Sequence, residues 1–168
     1  MLAIRPATEA DLPAILELMR QVVPLMNAAG NFQWDPHYPN ETTFQADLDR
    51  GYLWAAEQDG RLVGITSLST EQGADFAQAD WDATRPALVT RRLAVAPAAR
   101  GQGVAQALLQ HAENLALAQG LTMVRADTNS ENRPVQQLFP KLGYRFAGEI
   151  SLSFRPGLRF FCYEKRLG

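Results

Sequence analysis

Thiols and lysines are scarce in this sequence. Cys162 is its only cysteine, which excludes an internal disulfide framework and a zinc site built from several thiolates. A single thiol fits a reducing compartment, and a cytoplasmic location is expected. Neither charge is in excess: 16 basic and 18 acidic side chains give a formal charge of -2, too weak a field to hold nucleic acid or an anionic membrane. Long apolar runs are missing as well. Met1 to Ala10 carries Arg5, Pro6 and Glu9, so no secretion signal and no membrane span is expected. Lysine occurs only at Lys141 and Lys165, which together with abundant alanine reads as genomic base composition and implies no function.

What is present is ordinary globular material. Hydrophobic residues make up 46% and charged residues 20% of 168 positions, enough for one domain over residues 1–168 with its own core. Leu2 to Pro6 reads as a strand. Thr8, Glu9 and Asp11 form a helix-start signal before Leu12, Ile15, Leu16, Met19 and Val22 at helical spacing. From Pro24 to Asn40 the chain reads as a loop rich in rings, and Thr42 or Thr43 caps a short helix that ends at Gly51. Tyr52 to Gln58 and Arg61 to Ser69 form a hairpin on Asp59-Gly60, which supplies the positive backbone angles of a tight turn. A connection through Pro86 leads to a strand, Ala87 to Val95. Gln102 to Gln119 follows as a helix with Val104, Ala105, Leu108, Leu109, Ala112, Leu115 and Ala116 on one stripe. Met123 to Thr128 predicts a strand and Pro134 to Leu142 a helix. Tyr144 to Leu152 and Arg159 to Lys165 predict two strands parted by Pro156-Gly157. The fold class is therefore α/β of mixed α+β type, a mixed sheet flanked by helices.

The stretch RRLAVAPAARGQGVA, Arg91 to Ala105, carries the chemistry. A strand runs through Pro97 into a loop where Gly101 and Gly103 remove side chains. Backbone N–H groups from Arg100 to Ala105 can then approach an anion at a helix start, where the helix dipole also favours negative charge. Gly-x-Gly alone serves equally well as a plain helix-start turn. No Gly-Lys-Ser/Thr is present for a nucleotide P-loop, and the loop lies mid-chain and not in an opening βαβ unit.

Arg100-x-x-Gly103-x-Ala105 after Leu93-Ala94-Val95 resembles the acyl-CoA signature of the GNAT N-acetyltransferase superfamily. NSENRPVQQLFPKLGY, Asn129 to Tyr144, resembles that superfamily's segment of asparagine, helix, glycine and aromatic ring. The resemblance implies a splayed, mixed, mostly antiparallel sheet, with acetyl-CoA as co-substrate between the diverging strands and no metal. It places the pyrophosphate on Arg100, Gly101, Gln102, Gly103, Val104 and Ala105, and the pantetheine along backbone groups of Leu93 and Val95. Asn132 matches a cofactor-contacting position, although capping the helix is an alternative role for its side chain. In many relatives Tyr-x-Lys-x-Gly-Phe supplies a tyrosine that protonates the leaving thiolate; here the aligned residue is Phe139. Tyr144 is the catalytic candidate left, against a packing role, with water or the amine's own proton as alternatives.

On the acceptor side the resemblance implies that the first two helices and their loop line the substrate cleft. Trp34 and Tyr38 can flank an amine or flat group, and Asp35 or His37 can take its proton, unless Trp34 merely plugs the loop onto the core. Arg91 and Arg92 alternate faces on their strand, and Arg92 is placed with the substrate as a carboxylate holder. Arg125 and Asp127 share a face and are expected to form an ion pair, His111 is a boundary residue of its helix stripe, and Cys162 is core. The expected function is acetyl transfer from acetyl-CoA to a primary amine of a small molecule. The alternatives are a non-catalytic acyl-CoA-binding regulatory module and a peptide or protein N-terminal acetyltransferase. The acceptor's identity, the acyl length and the oligomeric state, a homodimer included, stay open.

Overall fold

The computed structural model describes residues 1–168. Seven strands form one sheet: β1 (Leu2–Pro6), β2 (Leu53–Gln58), β3 (Arg61–Ser69), β4 (Leu88–Val95), β5 (Met123–Asn129), β6 (Arg145–Leu152) and β7 (Arg155–Arg166), in the order β1-β2-β3-β4-β5-β7-β6. Four helices accompany it: α1 (Leu12–Ala28), α2 (Glu41–Asp49), α3 (Val104–Ala118) and α4 (Arg133–Lys141). Every strand pairing is antiparallel except β4 with β5, as a mixed, mostly antiparallel sheet requires. No helix is long and apolar enough to cross a membrane.

The pleat sorts side chains onto two faces. On one, α1 and α2 bury Ile15, Met19, Val22 and Phe44 against Leu53, Ile65 and Ala94 of the sheet. On the other, α3 and α4 bury Leu109, Ala112, Ala116 and Phe139 against Val124, Ala126 and Tyr163. Gly64 lets the start of α3 come close, since a Cβ there would stand 2.9 Å from Val104 Cγ1 and 3.2 Å from Leu108 Cδ1.

Four boundaries differ from the sequence expectation. α1 runs on past Pro24 to Ala28, because Pro24 sits on its exposed face while Val22 and Val23 are held in the core. Asn40, not Thr42 or Thr43, caps α2, its Oδ1 accepting from Thr43 N at 3.1 Å. Ala74–Gln78 forms a short 3-10 turn within the polar connection. The β6–β7 hairpin turns at Ser153-Phe154, with Leu152 opposite Arg155, so Pro156 and Gly157 lie inside β7. Proline is tolerated there because β5 begins its pairing with β7 only at Phe160, leaving that part of the strand an edge.

Candidate functional site

The one parallel pairing is short: Leu88, Val89 and Thr90 lie opposite Val124, Arg125 and Ala126, and beyond Thr90 and Ala126 the strands part. β4 continues paired to β3 and β5 continues paired to β7, so the edges that face each other across the gap carry unpaired backbone groups. A cavity of about 790 Å³ fills the opening. It is walled by the loop after β4, the start of α4, the end of α1 with its following loop, and the hairpin tip at Phe154.

At one end lies the loop into α3. Gly103, at φ +80°, is the residue before the helix, and no side chain caps it. The N–H groups of Gly101 through Gln106 find no backbone acceptor within the protein, and a Cβ at Gly101 or Gly103 would meet nothing within 4 Å. Donors converging on open space at a helix N-terminus suit an anion of pyrophosphate size. Arg100, Gly101, Gly103, Val104 and Ala105 line the cavity. Gln102 does not, its amide instead donating to the Ala98 carbonyl at 3.4 Å. Leu93 and Val95 line it from the parted edge of β4, where free amide groups suit an amide-bearing chain. Asn132 precedes α4, makes no capping bond with its side chain, and also faces the cavity. These residues fit acetyl-CoA.

At the other end, Trp34 is buried and Tyr38 half-buried, and both line the cavity. Asn27 ties this loop to α1 by donating to the carbonyls of Asn31 and Trp34 at 3.0 and 2.9 Å. Gln33 reaches across to accept from the Asn129 N–H at 3.2 Å. Asp35 and His37 do not line the cavity. Asp35 pairs with Arg155 at 2.8 Å, which holds its carboxyl below the usual carboxylate range, and the Arg155 guanidinium lies over the Tyr38 ring at 5.1 Å.

Arg91 and Arg92 do not alternate faces. Thr66 of β3 faces both Arg92 and Leu93, a bulge at which Arg92 takes φ +52°, and both arginines line the cavity. Arg92 is occupied: its guanidinium binds both Asp47 oxygens at 2.7 and 2.8 Å and reaches Tyr38 Oη at 3.4 Å. Arg91 lies over the Phe76 ring at 5.4 Å, and its only hydrogen bond is to Ser69 Oγ at 3.4 Å. Burial lowers its pKa, yet a guanidinium stays charged.

Arg125 and Asp127 share a face of β5, as the pleat requires, but do not pair. Arg125 donates to Glu164 at 3.1 Å and to the Asp82 carbonyl at 2.6 Å. Asp127, half-buried in the cavity wall, receives no hydrogen bond from another residue, and burial pushes its carboxyl up to about 6 against the opposing pull of Arg91. It is the titratable group that the sequence reading gave no chemical role. Phe139 lines the cavity with its ring 4.9 Å from those of Tyr144 and Tyr163. Tyr144 stands behind it, off the cavity wall, its hydroxyl buried without a partner and its pKa raised by burial and by Glu113. His111 packs its ring 4.2 Å from Trp54, and Cys162 is buried in the core with its thiol pushed up to about 12.

Comparison with known proteins agrees with this geometry. The sequence model of the acetyltransferase (GNAT) family matches residues 18–144. N-acetyltransferase 8F1 of Rattus norvegicus is 30% identical over 117 residues, 66% of this chain and 50% of that protein, so the chain spans about half of that relative's length. YesJ of Bacillus subtilis, described as an uncharacterized N-acetyltransferase, is 22% identical over 152 residues, 85% of this chain and 81% of that one. The crystal structure of a GNAT-family acetyltransferase from Streptococcus agalactiae 2603 superposes with a TM-score of 0.85 at 25% identity, covering 99% of this chain and 96% of that one.

Proposed function

This chain belongs to the GNAT acetyltransferase family, and from that premise we propose that it transfers an acetyl group from acetyl-CoA to the primary amine of a small molecule by direct attack. The observation that carries this reading is the continuity of the cavity, which joins the open loop amides at one end to Asp127 and the Trp34 and Tyr38 walls at the other. Acetyl-CoA, when bound, supplies an activated acyl group and a thiolate leaving group.

The chain's own residues position and deprotonate. Loop amides from Gly101 to Ala105 hold the diphosphate, and the parted edge of β4 at Leu93 and Val95 aligns the arm that follows. An acceptor reaches the site as an ammonium ion and must lose a proton to attack. Asp127, a carboxylate with a pKa near 6, takes that proton on a carboxylate oxygen. Phe139 offers the departing sulfur no proton, so solvent delivers it. The hairpin tip at Phe154 and the loop at Trp34 and Tyr38 narrow the acceptor end, which favours a small molecule over a folded protein.

Free-thiol release from acetyl-CoA with a panel of small amines tests the proposal. Turnover with at least one of them at steady state supports it. The absence of a hydroxyl at Phe139 favours a second reading, a non-catalytic acyl-CoA-binding module. CoA binding by calorimetry without any thiol release would establish that reading instead.

A further inference from the structure

We propose that the acceptor is a free α-amino acid, its carboxylate held by the Arg91 guanidinium and its ammonium group by the Asp127 carboxylate. The inference rests on the acetyl-transfer reading above and names the class of molecule that the same site takes.

Six charged residues line the cavity: Asp75, Arg91, Arg92, Arg100, Asp127 and Glu131. Arg100 and Glu131 belong to the cofactor end, on the loop into α3 and beside Asn132. Arg92 is taken by Asp47, and Asp75 accepts from the Ser153 N–H and hydroxyl at 3.1 and 3.2 Å. Arg91 and Asp127 are left, one charge of each sign, and no group of the protein neutralises either. They feel each other's field but do not pair. A half-buried charge without a partner is costly, and the site is stabilised most by a ligand that brings the opposite charge to both.

Their position sets how far apart the ligand's charges stand. Thr90 and Ala126 form the last rung of the parallel pairing, and Arg91 and Asp127 are the next residue on each strand, so the two lie at the apex of the gap where the strands have only begun to part. Asp127 lies opposite Cys162 and shares its face, and the Arg91 guanidinium sits on Phe76, which packs in the same cluster as Cys162. Both charges therefore open to the acceptor face. A molecule with ammonium and carboxylate on one carbon spans such a pair. A simple amine, or the N-terminus of a peptide, brings only the ammonium and leaves Arg91 as it is.

The test compares matched acceptors: a free amino acid, its carboxamide, its decarboxylated amine and a dipeptide with the same first residue, for apolar, aromatic and acidic side chains. Thiol release from acetyl-CoA is measured for each with the whole protein. The amino acid is expected to exceed its carboxamide, amine and dipeptide in kcat/KM by about 10- to 100-fold, the range for a charge-assisted bidentate contact. Arg91→Gln should erase that preference by raising KM for the amino acid far more than for its decarboxylated amine, with CoA affinity unchanged, while the lost pull of Arg91 on Asp127 shifts turnover of both acceptors alike. Equal or better rates for the decarboxylated amine or dipeptide in every set would overturn the inference while leaving acetyl transfer standing. Silence from every amine would sink both. Because the comparison of acceptors needs no mutant, it stands even if Arg91→Gln fails to fold.

Discussion

Asp127 sits where protein surrounds a carboxylate and no other residue offers it a donor, so its ionisation works against the fold. The folded-state pKa, about 6, lies above the unfolded value of 3.8. The folded chain therefore binds more protons than the unfolded chain between those values, and stability falls as pH rises across that window. At about 1.4 kcal/mol per unit the ceiling is about 3 kcal/mol, and solvent entering the cavity reduces it to roughly 1–2 kcal/mol. Asp127→Asn should thus be more stable than the parent at pH 7, with the gain vanishing below pH 4 in urea titrations. The same variant should lose most of its turnover. Parent kcat/KM should show an acid limb near pH 6, set by Asp127 with Arg91 of β4 and the neutral Cys162 thiol of β7 facing it; a profile without that limb would remove Asp127 as the base. Phe139 and Tyr144 make a second pair of expectations. Phe139→Tyr places a hydroxyl on the cavity wall and should raise kcat by up to about 10²-fold if protonation of the thiolate limits turnover. Tyr144→Phe removes a buried hydroxyl that has no partner, so kcat should hold and stability should rise by about 1 kcal/mol. A large fall in kcat at unchanged CoA affinity would instead make Tyr144 the acid.

Among the elements, the loop into α3 depends on its glycines for more than their turn. Gly103→Glu adds a side chain where there is open space, so the variant should fold, but it sets a negative charge and a strained φ +80° residue on the proposed anion seat. CoA affinity by calorimetry should fall by roughly 100-fold or more; unchanged affinity in the folded variant would move the anion site elsewhere. This loop was readable in the sequence because its residues act locally, through glycine spacing and an apolar stripe that begins at once. Asp59-Gly60 was readable for the same reason, with both residues at positive φ in the turn. Where distant packing decides, the pattern misled: Pro24 continues α1 because Val22 and Val23 anchor the helix in the core, and Pro156 lies in β7 because no strand pairs with it there. The bulge at Arg92 is of the same kind. A period of two put Arg91 and Arg92 on opposite faces, and only the pairing with β3 shows the extra residue that turns both into one cavity.

Across the whole molecule, the sheet's connectivity explains why the acceptor end was the least readable part of the site. Its walls come from α1, β4, β5 and the β6–β7 tip, far apart in the chain, and Asp127 gains its chemistry only from what fails to reach it. The same connectivity has a mechanical side. Strands β1 to β4 form one slab and β5 to β7 another, and the ladder that joins them is three residues long on each side. Apart from α3, which packs on both slabs, this seam is the place where the sheet is expected to flex, and a ligand in the crevice that held one slab through the loop after β4 and the other through α4 would act as a splint across it. Amide exchange at Leu88, Val89, Val124 and Arg125 should therefore slow on adding CoA by a larger factor than at the β2–β3 ladder, which lies within one slab. Uniform slowing throughout the sheet would mean that the two slabs already move as one body before anything is bound.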